Sequence, residues 1–307
     1  MNYENKLLEI AKSDDRIVIL TAENRAAIRN IPNNLADRFV DVGIAEQTLV
    51  GIAAGLALRK RIPIVHALAS FLTMRAFEFI RTDVGISNLP VKIVGSFAGF
   101  SSEANGPTHQ ALEDVSLMRG IPNMNVFCPA DEEDMILGLP EIISTPSPFY
   151  IRFNSIKPIY PHEKFEIGKA EVIGSGTDIA ILVYGTLFNQ ALIAKNNLEK
   201  LGISLRVLNL RTLKPIDKSE ILKTVEECDL IITLEDHFIT GGLFSILSEI
   251  LVLHKKNADI FPIALNNTWF KPALFDEVLE YEGFTAENLV QKILNALHNK
   301  KLVRVHA

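Results

Sequence analysis

The sequence predicts an α/β protein of two domains, each a mainly parallel sheet flanked by helices. Short runs rich in β-branched residues alternate with helical stretches along the chain, as in a parallel sheet covered on both faces. This alternation stops once, between residues 155 and 166, where two prolines and several charged residues are typical of a linker. The length of 307 residues and the apolar fraction of 48% are enough to fill two cores.

The first half of the chain contains six predicted strands with helices between them. The strands are Arg16–Leu20, Arg38–Val42, Ile62–Ala67, Val91–Ser96, Asn125–Cys128 and Phe149–Phe153. The helices are Ala45–Leu58, Phe71–Val84, Ala111–Arg119 and Asp131–Ser144. Asp131 suits the N-cap of its helix, because a carboxylate there can accept a hydrogen bond from an amide of the first turn.

A second α/β series follows the linker. Its predicted strands are Ile179–Tyr184, Leu205–Leu210, Leu230–Glu235 and Ile260–Leu265, and its helices lie near Asn189–Leu201, Ser219–Cys228, Gly242–His254 and Ala286–Asn299. We place the domain boundary near Lys164, which gives a first domain of residues 1–163 and a second of residues 164–307. The chain contains neither GxGxxG after a strand nor GxxxxGK[ST], so dinucleotide and P-loop sites have no support.

The composition argues against several other classes of protein. A formal net charge of −6 is opposite to that of most nucleic-acid or membrane-surface binders. The two cysteines, Cys128 and Cys228, have no metal-type spacing and are typical of free thiols in a reducing compartment. The first ten residues lack the apolar core of a signal peptide, and no apolar run approaches the ~20 residues of a membrane span. We therefore expect a cytoplasmic protein.

The most informative segment is residues 41–58, DVGIAEQTLVGIAAGLAL. Glu46 is the only carboxylate between Asp41 and Glu78, and it opens a helix of small and apolar residues. Such a helix is buried on most faces, and burial favours the neutral form of a carboxylic acid. A buried neutral acid can donate a hydrogen bond in an enzyme site. The alternative is an exposed first-turn acid that the helix dipole stabilises.

Several segments resemble the transketolase and deoxyxylulose-phosphate synthase family. Residues 43–47, GIAEQ, are similar to the family's cofactor-activating motif. The other segments are SFLTMRAFEF (70–79), GPTHQ (106–110), RGIPNMNV (119–126), PAD (129–131) and LEDHFITGG (234–242). The resemblance covers almost the whole chain. It implies a pyrimidine-binding domain followed by a transketolase C-terminal-like domain, and a transferase that moves two-carbon ketol units between sugars or sugar phosphates with thiamine diphosphate.

The resemblance also implies which residues contact the cofactor. A glutamate at the position of Glu46 hydrogen-bonds the aminopyrimidine ring and helps to activate the cofactor, so Glu46 is implied to be catalytic. Phe71, Met74 and Phe77 match an apolar pocket for that ring, and their spacing of three and six is close to one helical stripe. Simple core packing is the alternative for this stripe. Glu23 occupies a cofactor-binding position where the family more often has aspartate.

Substrate contacts are implied for three further residues. His109 follows a Gly-Pro turn and matches a histidine that contacts substrate and assists proton transfer. Arg152 matches an arginine that binds the sugar phosphate, a role that its fork of donors suits. Asn105 stands where the family has an aspartate that reads a substrate hydroxyl, and Phe97 replaces a histidine. These two departures predict a modified or unusual sugar substrate.

The family's diphosphate-binding motif is missing from this sequence. Complete transketolases hold the diphosphate through Mg²⁺ with a Gly-Asp-Gly and a downstream Asn, and this chain has no Gly-Asp-Gly. We expect no metal site in this chain and a partner subunit that carries the diphosphate and Mg²⁺. The family assembly implies a heterotetramer with two copies of each subunit. Thiamine diphosphate is then expected to bind weakly, or not at all, to this chain alone.

Three other functions are compatible with the sequence. The β subunit of a 2-oxo acid dehydrogenase shares the pyrimidine-binding module and a similar length, although its histidine loop differs from GPTHQ; a deoxyxylulose-phosphate synthase-like enzyme is also compatible. A regulatory subunit without catalytic activity could keep the fold, and the altered residues Phe97 and Asn105 leave this alternative open.

Overall fold

A computed structural model describes the backbone of residues 1–306 and the side chains of residues 1–102 and 105–298. Within this part of the chain the strands form two sheets, of seven and five strands, flanked by helices. The strands are β1 (Ile17–Thr21), β2 (Phe39–Asp41), β3 (Ile62–Leu68), β4 (Lys92–Ser96), β5 (Asn125–Phe127), β6 (Phe149–Arg152), β7 (Glu171–Ile173), β8 (Ile179–Val183), β9 (Leu205–Asn209), β10 (Thr212–Lys214), β11 (Leu230–Phe238) and β12 (Ile260–Leu265). The predicted fold class is confirmed.

The helices lie between the strands much as the alternating pattern predicted. They are α1 (Tyr3–Ser13), α2 (Ile31–Leu35), α3 (Glu46–Leu58), α4 (Phe77–Phe79), α5 (Asp114–Arg119), α6 (Glu132–Ser144), α7 (Phe188–Lys200), α8 (Lys218–Glu227), α9 (Leu243–His254), α10 (Phe275–Tyr281) and α11 (Ala286–His306). The predicted N-cap of α6 is confirmed, because the Asp131 carboxylate accepts a hydrogen bond from the Asp134 amide at 3.0 Å. The sequence pattern did not reveal α1, α2 and α10, nor the short strands β7 and β10.

The two sheets have mainly parallel strands. The first has the order β10-β5-β6-β4-β3-β1-β2, and the second has the order β12-β11-β8-β9-β7. Every residue of β1, β4, β6, β8 and β9 is buried, as expected when helices cover both faces of a parallel sheet. The carboxyl ends of the first sheet's parallel strands therefore share one edge, where loops can bring polar side chains together.

The first sheet is completed by a strand from the second half of the chain. β10 pairs antiparallel with β5, although its residues follow the predicted domain boundary. The Lys214 ammonium group, at the end of β10, donates hydrogen bonds to the carbonyl oxygens of Arg119 and Ile121 at 2.9 and 2.6 Å. The two domains are therefore interlocked, and the division between residues 163 and 164 stays a prediction.

The predicted helix Phe71–Val84 is helical but is not a regular α-helix. Its first five residues, Phe71–Arg75, and the stretch Ile80–Gly85 are π-helical, with α4 between them. The Ala76 amide donates to the carbonyl oxygen of Phe71, five residues earlier, at 3.0 Å. π-helical turns are rare and frequent at functional sites.

A buried arginine joins the two domains. Arg152, at the end of β6, donates to both carboxylate oxygens of Asp114, at 2.8 and 2.6 Å, and to Asp236 of β11. Tyr150 donates to Asp114 at 2.6 Å, and Thr186 donates to Asp236 at 2.9 Å. Burial disfavours both carboxylates; the Arg152 cation nevertheless lowers the pKa of Asp114, whereas burial raises the pKa of Asp236.

We expect Arg152→Met to lower the free energy of unfolding by about 3–5 kcal/mol, because it leaves two buried carboxylates without their cation. Urea unfolding of the isolated chain measures this loss. The matched control is Arg59→Met, because Arg59 is exposed and such surface changes stay within about 0.5 kcal/mol. Equal effects of the two substitutions would contradict the role of Arg152.

The linker is held to both domains by one histidine. His162 lies between two carboxylates, with Nδ1 at 2.8 Å from Glu171 of β7 and Nε2 at 3.0 Å from Asp131. Carboxylates only accept hydrogen bonds, so both ring nitrogens donate and the ring is protonated. Burial disfavours this charge, but the hydrogen bonds to Asp131 and Glu171 outweigh it and raise the pKa of His162 to about 10.

The stabilising effect of His162 should depend on pH. The folded-state pKa of about 10 lies above the unfolded value of 6.5, so the stabilisation is complete below pH 6.5 and is lost as pH rises through 10. The difference in free energy of unfolding between wild type and His162→Gln should therefore be largest at pH 6 and shrink towards pH 10. Urea unfolding at several pH values measures it, and a difference that grows with pH would refute the charged histidine.

Candidate active site

A cleft of about 320 Å³ opens where the carboxyl ends of three neighbouring strands meet. The loops after β1 and β2 and the end of β3 form its walls, together with one loop that follows β4. The lining residues are Ala22, Glu23, Asn24, Ile44, Glu46, Leu68, Phe71 and His109. Four predicted site residues, Glu23, Glu46, Phe71 and His109, are thus brought together from segments up to 86 positions apart in the chain.

Glu46 is placed by the sharp turn that precedes α3. Gly43 has a φ of +71°, a conformation that favours glycine, and its amide donates to the Asp41 carboxylate at 3.0 Å. The chain then enters α3 with Glu46 as its first residue. Although it lines the cleft, Glu46 is only 2% exposed. This excludes the alternative of an acid pointing into solvent.

The Glu46 carboxylate has a cationic partner. Arg75 Nη1 donates to Glu46 Oε2 at 2.8 Å. Burial alone predicts a neutral acid and leaves Arg75 out of account, so the neutral form of Glu46 stays a prediction.

Phe71 and His109 contact each other in the lining of the cleft. Their ring centroids are 5.1 Å apart, and the rings are inclined by 60°. His109 Nδ1 lies 2.9 Å from the Thr108 hydroxyl, and the His109 amide donates to the carbonyl oxygen of Gly106 at 2.9 Å. The neighbouring Gln110 is buried and donates from its side chain to the carbonyl oxygen of Phe270 at 2.9 Å. The second domain thereby helps to hold the histidine loop.

Glu23 belongs to the turn after β1. Its φ of +59° is in the left-handed region, which is uncommon for residues other than glycine. The Glu23 amide donates to Asp41 Oδ1 at 3.2 Å, and the Asp41 carboxylate is also paired with Arg25. Burial disfavours the Asp41 carboxylate, but the ion pair and the backbone hydrogen bonds lower its pKa. Asp41 is therefore a fixed anion that ties together the turns after β1 and β2.

Three other predicted site residues do not line the cleft. Met74 is 39% exposed and Phe77 packs against the core of the first domain. In the π-helical turn, the residue that comes to lie over Phe71 is Arg75, four positions later, so the assumed α-helical stripe does not form. Asn105 is exposed at the end of a 3₁₀ segment. Their predicted contacts with cofactor or substrate find no support in this cleft.

Arg152 requires a correction of its predicted surroundings. Its side chain is 5% exposed, and its donors are directed to Asp114 and Asp236. These two carboxylates bind the guanidinium group whose predicted partner was a sugar phosphate. The reason for the difference is that Arg152 is buried between the domains. The sequence around the end of β6 does not show this burial. Arg152 therefore holds the two domains together and lies outside the cleft.

The cleft is suited to hold a flat, polar aromatic group. Phe71 offers a ring for stacking, Glu46 offers a buried carboxyl group for a hydrogen bond, and His109 offers an imidazole beside Phe71. Among the described side chains, no three His, Cys, Asp or Glu residues are arranged to hold a metal ion. No helix within the described residues is both long and apolar enough to cross a membrane. Cys128 and Cys228 are free thiols.

Arg75 is the functional residue that sequence reasoning missed. It lies inside SFLTMRAFEF, four positions after Phe71, where a helical neighbour of Phe71 was to be expected. The position of Arg75 beside Phe71 could have been proposed from the sequence. The hydrogen bond to Glu46 could not, because 29 positions separate the two residues.

Two family models match the chain. "Transketolase, pyrimidine binding domain" matches residues 2–157, and "Transketolase, C-terminal domain" matches residues 168–289.

Similar proteins include subunits of divided enzymes. The 6-deoxy-6-sulfo-D-fructose transketolase subunit SqwH of a Clostridium species is 34% identical over 294 residues, which cover 94% of this chain and 91% of that protein. One of the apulose-4-phosphate transketolase subunits of Phocaeicola vulgatus is 35% identical, covering 81% and 82% of the two chains. A solved split-gene transketolase, described as an inactive β4 tetramer, superposes with a TM-score of 0.86 at 32% identity and covers 96% of both chains.

Proposed function

The chain belongs to the transketolase family, and on that premise we propose that it is the pyrimidine-binding subunit of a split transketolase. The observation that carries the proposal is the placement of buried Glu46, Phe71 and His109 around one cleft. Together with a partner subunit, it would transfer a two-carbon ketol unit between sugars or sugar phosphates. Its activity depends on thiamine diphosphate.

The cleft fits the aminopyrimidine end of that cofactor. Phe71 would stack on the ring, Glu46 would bind a ring nitrogen, and Glu23 lies on the neighbouring wall. When bound, the cofactor supplies the carbon nucleophile that accepts the two-carbon unit. The protein's own task is to hold the pyrimidine in a water-poor cleft and to place a carboxyl group against it. His109 is positioned to contact the substrate and to move a proton at its imidazole.

We further propose that a partner subunit holds the diphosphate and Mg²⁺. Two of the relatives are named as subunits, and this chain covers 91% and 82% of their lengths. The solved relative composed of β subunits alone is described as inactive. An assembly with two copies of each subunit would complete two sites at the subunit interfaces. A cytoplasmic location agrees with the two free thiols.

A modified sugar is our proposal for the substrate. The names of the relatives refer to a sulfonated sugar and to apulose 4-phosphate. A second cavity, of about 480 Å³, lies at the same sheet edge, beyond β4 and β6. Its described lining contains no lysine, arginine or histidine, and Phe97 forms part of its wall. From the side of this chain, such a cavity offers no cation to an anionic end of a sugar, whether phosphate or sulfonate.

Glu46→Gln tests the catalytic role. In the assembled enzyme it should lower kcat by about 10²–10⁴-fold, because the amide cannot take part in acid–base chemistry. Calorimetry should show that the wild-type chain alone binds thiamine diphosphate roughly a hundred-fold more weakly than the assembly, since charge-assisted contacts to the diphosphate are missing. The matched control is Glu78→Gln, because Glu78 is an exposed acid on α4.

Two results would count against this proposal. Tight stoichiometric binding of thiamine diphosphate by the isolated chain would remove the need for a partner in cofactor binding. Full activity of the assembled Glu46→Gln enzyme would favour a regulatory subunit without catalytic activity.

The substrate proposal predicts poor turnover of common sugar phosphates. With the partner present, xylulose 5-phosphate and ribose 5-phosphate should react at least about ten-fold less efficiently, in kcat/KM, than a sugar with a modified terminal group. Phe97→His restores a donor at this wall and should improve the phosphorylated substrates. Normal efficiency of the wild-type enzyme with both phosphates would exclude the proposal.

A further inference from the structure

One guanidinium group contacts both side chains that the proposed function assigns to the pyrimidine. Arg75 Nη1 donates to Glu46 Oε2 at 2.8 Å. The same guanidinium lies over the ring of Phe71, with Cζ 4.1 Å from the ring centroid. A flat cation at this distance from an aromatic face is attracted by the ring. Arg75 therefore couples the position of the acid to that of the ring.

The π-helical turn explains how Arg75 reaches both groups. Phe71 begins this turn and Arg75 ends it. In a helix with hydrogen bonds between residues five apart, a turn contains more residues than in an α-helix, so positions four apart lie nearly above each other. The guanidinium thus comes to lie over the ring, and the wall formed by α3 brings Glu46 within reach.

Arg75 approaches from outside the cleft. It is not among the residues that line the cleft, and its side chain is 42% exposed, whereas that of Glu46 is 2% exposed. Only Oε2 of Glu46 accepts its hydrogen bond, and within the described residues Oε1 makes no hydrogen bond. The inner side of the carboxylate therefore stays available to a ligand in the cleft.

We propose that Arg75 is a positioning residue for the cofactor's pyrimidine. It would fix Glu46 and Phe71 in one mutual arrangement before the cofactor arrives and keep one oxygen of the Glu46 carboxyl group free to share a proton with the ring nitrogen. This inference rests on the proposed function, because it needs a pyrimidine in the cleft. It adds a residue that acts through Glu46 and Phe71 and does not touch the ring.

Preorganisation of this kind acts on cofactor binding more than on folding. Water screens the exposed Arg75 side of the ion pair, so the loss of this pair should lower stability by less than the loss of a pair that is buried on both sides. A carboxylate and a ring that are already aligned lose less freedom when the ligand binds. Replacing Arg75 should therefore weaken cofactor binding while the chain stays folded.

The test is calorimetric titration of thiamine diphosphate, with Mg²⁺ present, into the enzyme assembled with its partner subunit. Arg75→Met should weaken binding roughly ten-fold, since it removes a charged hydrogen bond that orients Glu46. Arg75→Lys keeps the charge but loses the flat fork, so its loss should be smaller, about three-fold. In the Glu46→Gln background, Arg75→Met should cost less than about two-fold, because the two residues act as a pair.

Arg81→Met is the matched control, since Arg81 is an exposed arginine on the next π-helical stretch. It should leave cofactor affinity unchanged. Thermal melting of the isolated chains should give a midpoint within about 2 °C of wild type for Arg81→Met, whereas Arg75→Met should fold but melt a few degrees lower, because buried Glu46 loses its partner. If Arg75→Met does not fold, Arg75→Lys and its combination with Glu46→Gln provide the same comparison.

Several outcomes would overturn the inference. Unchanged affinity in Arg75→Met would show that Glu46 needs no help in its orientation. Tighter binding would show that Arg75 competes with the pyrimidine. An equal loss with and without Glu46 would show that Arg75 acts elsewhere. If the wild-type assembly binds the cofactor but these patterns are absent, only this inference fails; if it binds none, the proposed function fails with it.

Discussion

A charge removed from water needs a partner, and this constraint shapes both the domain interface and the cleft. Three buried carboxylates, Glu46, Asp114 and Asp236, belong to different segments of the chain. Two arginines pair with them, Arg75 with the first and Arg152 with the other two. Leaving a buried charge unpaired costs several kcal/mol. This is a large part of the free energy of unfolding of a domain. The segments are therefore held where the pairs can form.

The domain interface matters for the cleft, although the residues that line it all come from the first half of the chain. The pairing of Arg152 with Asp236 holds the end of β11 against the first sheet. The second domain also receives the hydrogen bond from Gln110, next to His109. A transketolase C-terminal domain thus has a physical role here: it supports the loop that brings an imidazole to the cleft.

The cleft combines groups with opposite requirements. Glu46 is almost fully buried and yet paired with a half-exposed cation, while Phe71 contacts that cation on one side and His109 on another. Such a site is polar enough to recognise a heterocycle and apolar enough to exclude much of the water. A partner subunit that covers this edge of the sheet would exclude more water from the cleft. It would also strengthen the ion pair of the cleft, because ion pairs strengthen as solvent is removed.

The sequence by itself determined the two α/β units and nearly all of the long strands and helices, and it singled out Glu46, Phe71 and His109, which line one cleft, because periodicity and local motifs act over a few residues. It did not determine β10, the burial of Arg152 or the role of Arg75. The contact of Arg75 with Glu46 spans 29 positions of the chain, and that of Arg152 with Asp236 spans 84. Pairing of distant charges and strands is decided only when the whole chain packs, so tertiary structure alone could place them.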